Sequence, residues 1–96
     1  MPNEIPWERV YTASGETWNA ILRDQSGIIA IMEVFKEWGA WQWHISLIIN
    51  NTAHYSPGNY PSKGDAQIAC TRVLLNLLAS LLLRLKTIEN LSNNEG

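Results

Sequence analysis

Few side chains in this chain of 96 residues could do covalent or acid–base chemistry: one cysteine, two histidines and nine carboxylates. Cys70 and a histidine could in principle form a thiolate–imidazole nucleophile. That would need an exposed thiol with a lowered pKa near the positive end of a helix. Cys70 falls in the first turns of an expected helix, and a free cysteine is most often a small core residue. His44 is expected on the wet face of a strand and His54 in the loop after it. One cysteine and two scattered histidines match no zinc spacing, so neither a metal nor a cofactor is expected. Glu4, Glu8, Glu16, Asp24, Glu37, Asp65, Glu89 and Glu95 mostly mark turns, caps or ends. Glu33 lies inside an apolar strand, where the expected partner is a base such as Arg23 across a hairpin. No second acid is placed to complete a general acid–base pair. There is no glycine-rich phosphate loop, no Gly-x-Ser-x-Gly and no His-Glu-x-x-His. No catalytic residue is assigned, and the chain is expected not to be an enzyme.

Aromatic residues are the more unusual feature: Trp7, Trp18, Trp38, Trp41 and Trp43, with Tyr11, Tyr55 and Tyr60. Trp41 and Trp43 share the apolar face of one strand and are expected under a helix, where their area helps a small core. Trp38 in a turn, and Tyr55 and Tyr60 in a loop, are expected to be exposed. Exposed Trp and Tyr beside polar strand residues suit a protein-binding hot spot. Trp38, Gln42, His44, Tyr55 and Tyr60 are therefore the candidate partner-binding residues.

Those residues need a scaffold, and the length fits one domain over residues 1–96. The apolar fraction is 46% and the charged fraction 17%, less charge than an average globular surface carries. Net charge is −2, which encodes no strong pull toward nucleic acid or anionic membrane. A lone cysteine is compatible with a reducing compartment, and a cytoplasmic protein is expected. The first residues lack a basic region followed by an apolar run. Val73 to Leu85, the richest apolar stretch, is interrupted by Asn76, Ser80 and Arg84 and falls short of a bilayer span, so no membrane is expected.

The strand region runs over about 7–50. Trp7 to Thr12 permits a short edge strand, and Thr17 to Arg23 alternates. Asp24 to Gly27 reads as a four-residue hairpin connection. Ile28 to Phe35 is an apolar run broken only by Glu33, as in a central strand covered on both faces. Lys36 to Gly39 is the next turn. From Trp41 to Ile49 every odd residue is apolar, while Gln42, His44 and Ser46 alternate with them. These strands make an antiparallel meander of three to four strands. Residues 51–61 form a loop, with a brief fourth strand at Thr52 to Tyr55 allowed.

Ser62 then offers a helix cap, Asp65 suits the positive helix end, and a helix is expected over about 63–91. Residues 92–96 read as a frayed tail. The fold class is thus α+β, with one long C-terminal helix across one sheet face. Arg72, Asn76, Ser80, Arg84 and Thr87 form a solvated stripe. Leu74, Leu78, Leu81, Leu85 and Ile88 form a short heptad seam opposite it. At about 40 Å the helix would overhang a strand of about 26 Å. The overhang would expose more leucine than a monomer usually shows. Leu78, Leu81, Leu82, Leu85 and Ile88 are therefore the expected self-association residues of a homodimer.

A meander followed by one helix resembles, in topology, the plant-type and phage-integrase arm-binding DNA domains, and the double-stranded-RNA-binding domains. Gly39 to Ile45 and Pro61 to Ala66 carry the likeness. Those families place several Arg and Lys on the reading strands, whereas this chain offers Arg9, Arg23 and Lys36 among nearby acids. The resemblance implies a fold and not DNA binding. The function expected is a small non-enzymatic protein-interaction module of regulator or inhibitor type, in the manner of phage-encoded inhibitors. It would self-associate through its helix and bind another protein with its sheet face and loop. The alternative is a nucleic-acid-binding regulator that clusters Arg9, Arg23 and Lys36 from two copies.

Overall fold

The structure is a computed structural model that describes residues 5–12 and 15–95. Five strands follow one another: β1 (Glu8–Thr12), β2 (Gly15–Asp24), β3 (Gly27–Glu37), β4 (Ala40–Leu47) and β5 (Thr52–Tyr55). They form one antiparallel sheet in sequence order. One helix, α1 (Lys63–Glu95), crosses one face and touches β3 and β4. The expected α+β meander with a long C-terminal helix is observed, with five strands rather than three to four. The count rises because both edges that the sequence only permitted, β1 and β5, are formed.

Tight turns set the register. The β2–β3 connection is two residues, not four, because Asp24 pairs with Gly27. Asp24 Oδ1 accepts from the amides of Ser26 and Gly27, and Gly27 takes φ +138° at no steric cost. At the β3–β4 turn both central residues, Trp38 and Gly39, have positive φ, 54° and 78°. That suits the right-handed twist of a two-residue hairpin. β4 stops at Leu47, short of the expected Ile49. The amides of Ile48 and Ile49 both turn onto the Ile29 carbonyl, and Asn51 reverses the chain at φ 56°. Ile49 is left exposed.

The helix side of the sheet holds the core. Ala20, Ala30, Met32, Val34, Trp43, Ile45 and Leu47 lie buried beneath Ala66, Cys70 and Leu74 of α1. Spacing of four puts those three helix residues on one stripe, and two small side chains let the axis approach the sheet. Trp41 packs half-buried at the margin. The Ser62 hydroxyl accepts from the Asp65 amide, as a cap should. The helix then continues to Glu95, beyond the expected end near 91 and through most of the stretch read as a frayed tail. Met1 to Glu4, Ala13, Ser14 and Gly96 lie outside the described residues.

Candidate functional site

On the sheet face away from α1, register lines up one residue from every strand. Glu8 stands opposite Asn19, Asn19 opposite Glu33, Glu33 opposite His44, and His44 opposite Tyr55. With strands about 4.8 Å apart, this polar row crosses the whole sheet in about 19 Å. His44 stacks on Tyr55, ring centroids 4.6 Å apart, and its Nδ1 lies 3.9 Å from Glu33 Oε1. The Oδ1 of Asn19 is buried and accepts no hydrogen bond. Apolar side chains flank the row: the pair Ile21 and Ile31 on one side, and Phe35, between Thr17 and Gln42, on the other.

Two expectations change here. Glu33 does not face Arg23: Arg23 pairs with Ile28 beyond a bulge at Leu22/Arg23, four residues along β2 from Asn19. The open face is also less polar than β4 alone implied. β3 is apolar on both sides, so Ile31 and Phe35 must point away from the helix when Met32 and Val34 point toward it.

The expected partner-binding residues divide. Gln42, His44 and Tyr55 share the open face, and Gln42 Nε2 donates to Asn59 Oδ1 at 3.0 Å. Trp38 projects from the β3–β4 turn, 95% exposed. Tyr60 is different. It bridges to Trp41 in antiparallel fashion, and its hydroxyl accepts from Trp43 Nε1 at 3.3 Å. It is half-buried against the core on the helix side and is not part of the open face. The loop expected over 51–61 is strapped to β4 by β5 and this bridge, which is why Tyr60 turns inward. Sequence reading missed Asn19, Glu33 and Phe35 as members of this face. The alternation of β2 was visible, whereas β3 read as a continuous apolar run, and only strand pairing aligns the three.

The nucleophile candidates are separated. Cys70 is buried beneath the helix, and burial pushes its thiol up from 9.0 to about 12. His44 is on the opposite side of the sheet. His54 Nε2 lies 3.1 Å from the Thr52 hydroxyl. Among the described residues no three His, Cys, Asp or Glu side chains gather as metal ligands would. The three cations of the nucleic-acid reading are also apart within one copy. Arg9 lies over the rings of Tyr11 and Trp18 on the helix side. Arg23 and Lys36 sit toward opposite ends of β3, opposite Ile28 and Trp41.

The helix carries a second unpartnered surface. Of the expected self-association residues, Leu78 and Leu81 pack partly on the chain's own core, as does Leu77. Leu82, Leu85 and Ile88 are exposed at 54%, 63% and 60%. The reason is that one stripe serves two surfaces: the seam that starts on the sheet at Leu74 runs off it after Leu81. Ile68, Leu75 and Leu82, seven apart and all exposed, add a stripe rotated roughly 140° around the axis from the sheet-facing one.

By length and composition alone, Lys63–Glu89 is long and apolar enough to cross a membrane, with mean hydropathy 1.7 in its best window and 11% of that window buried. This is longer than the stretch from Val73 to Leu85 read from the sequence as the richest apolar run. Ala66 to Cys70 extend it, and Ala66, Cys70 and Leu74 are seated on the sheet. Arg72 and Arg84 are twelve residues apart, about 18 Å along a helix, less than the hydrocarbon thickness of about 30 Å. A spanning helix would put a guanidinium in lipid or strip that half from its sheet.

The chain matches no protein-family model, no curated protein and no solved structure.

Proposed function

We propose that this protein is a non-enzymatic interaction module that self-associates through the distal half of α1 and offers its open sheet face, with Trp38 at its rim, to another protein. The observation that carries it is the unbroken exposure of residues 82–89 on a helix that has left its sheet. Leu82, Leu83, Leu85 and Ile88 there, with Leu75, make an apolar patch of a few hundred Å², at the upper range for a monomer. A stable dimer needs about 800 Å² per partner. The exposed stretch of residues 82–89 is about 12 Å long, and Leu75 with the half-buried Leu78 and Leu81 adds to what a second copy would cover. A two-fold pair makes one patch complementary to itself, which explains why the same helix is apolar on its outer side.

Solution mass by light scattering tests this with wild type and Leu82→Glu/Leu85→Glu. Both positions are exposed, so the variant keeps its own core. A dimeric wild type and a folded monomeric variant are expected. A wild type that stays monomeric at high concentration overturns self-association. Flotation of that monomer with phospholipid vesicles, lost in the variant, would assign the patch to a bilayer instead.

A further inference from the structure

Resting on the reading of the open face as a partner surface, we propose that this face receives an arginine side chain of the partner, in the cleft between the polar row and the Trp38 turn. The cleft is about 590 Å³ in volume; Glu33, Phe35 and Glu37 line it from the open face of β3, Trp38 stands at its rim, and Glu16 and Lys36 border it from the strand edges. Glu33 and Glu37 are its open-face carboxylates, while Glu16 and Lys36 alternate onto the helix side with Trp18 and Trp41 and offset one another, so the cleft is acidic. The Glu16 carboxylate accepts from Trp18 Nε1, and Glu33 has only His44 at 3.9 Å. Glu37 has no ion-pair partner among the described residues. A cationic partner is the complementary one, and a polyanion is repelled.

The shape of the acceptors selects a guanidinium among cations. Its planar fork binds carboxylates two bonds at a time and stacks on aromatic faces. Phe35 supplies an aromatic wall between Glu33 and Glu37 on the same strand face. Trp38 supplies a second at the rim, where cation–π attraction is strongest for indole. Asn19 lines the same cleft. Trp38 stands at a left-handed backbone position that favours Asn or Gly in a hairpin, so local folding does not account for the indole there.

The test is NMR titration of the full chain with a short oligo-arginine peptide, an oligo-lysine peptide of equal length, and a single-stranded oligonucleotide. The Trp38 indole N–H resonance is assigned by its loss in Trp38→Asn, which suits the turn. Oligo-arginine is expected to shift that resonance and to bind more tightly than oligo-lysine. Glu33→Gln/Glu37→Gln, isosteric and checked for folding, is expected to weaken binding roughly tenfold or more, the scale of one charge-assisted hydrogen bond. Equal affinity for both peptides, insensitivity to the double variant, or binding of the oligonucleotide alone each overturns the proposal. Capture of a partner protein that needs Trp38 but tolerates the double variant would sink the arginine and leave the interaction module standing.

Discussion

At the scale of single residues, burial alone decides what Cys70 does. It sits at the middle of the helix stripe that meets the sheet, fully buried, and desolvation holds its thiol protonated. Native protein is therefore expected to resist thiol reagents at neutral pH and to react only after unfolding, which labelling with and without denaturant checks. The raised pKa also has a stability consequence. Unfolding frees the thiol to ionise near its ordinary value of 9.0, whereas the folded thiol holds its proton to about 12. Its contribution is complete below pH 9 and is lost as pH climbs toward 12. Denaturant midpoints measured across that window should fall more for wild type than for Cys70→Ala. Glu33 shows the opposite lesson. Its position within an apolar strand flagged it, yet its neighbours were misread, because the partner of a strand residue depends on register and the bulge at Leu22/Arg23 lies beyond local sequence.

At the scale of elements, β4 and α1 were the most legible. Odd apolar residues from Trp41 to Leu47 all face the helix, as period two demands, with Trp43, Ile45 and Leu47 fully buried. The helix start at Ser62 and Lys63 follows from its cap. What the helix could not reveal is which part of a broad apolar arc its own sheet would take. Ala66 and Cys70 are small, and small residues at four-residue spacing mark the closest approach of helix to sheet. Ala66→Leu is expected to destabilise by about 1–3 kcal/mol through overpacking. The exposed Ala79→Leu should stay within about 0.5 kcal/mol of wild type. Comparable losses at both positions, read from chemical denaturation, would mean the contact stripe is assigned wrongly.

At the scale of the whole molecule, the dimensions are 57 × 28 × 27 Å, so the chain is twice as long as it is wide. The excess length is the helix: 33 residues reach about 50 Å, while the eight residues of β4 reach about 26 Å. Among the described residues the ten buried side chains of the core all serve the sheet end, and none lies on the distal helix. If a second copy covers that half, the thermal midpoint must rise with protein concentration, since association stabilises the folded state by mass action. Calorimetry over a hundredfold dilution should show that rise for wild type and a flat midpoint for Leu82→Glu/Leu85→Glu.

Sequence alone determined the α+β class, the meander order, the helix and its cap, because period two, period 3.6 and turn chemistry are local. It also determined that leucine would be left over, since a long helix outruns a short sheet by arithmetic of rise per residue. Tertiary structure decided the rest. Pairing across strands assembled Glu8, Asn19, Glu33, His44 and Tyr55 into one row and put Trp38 at the rim of an acidic cleft. The bridge to Trp41 drew Tyr60 inward, and docking of α1 divided its leucines between a core and an open surface. Each of those depends on contacts between residues far apart in the chain, and no local pattern carries that information.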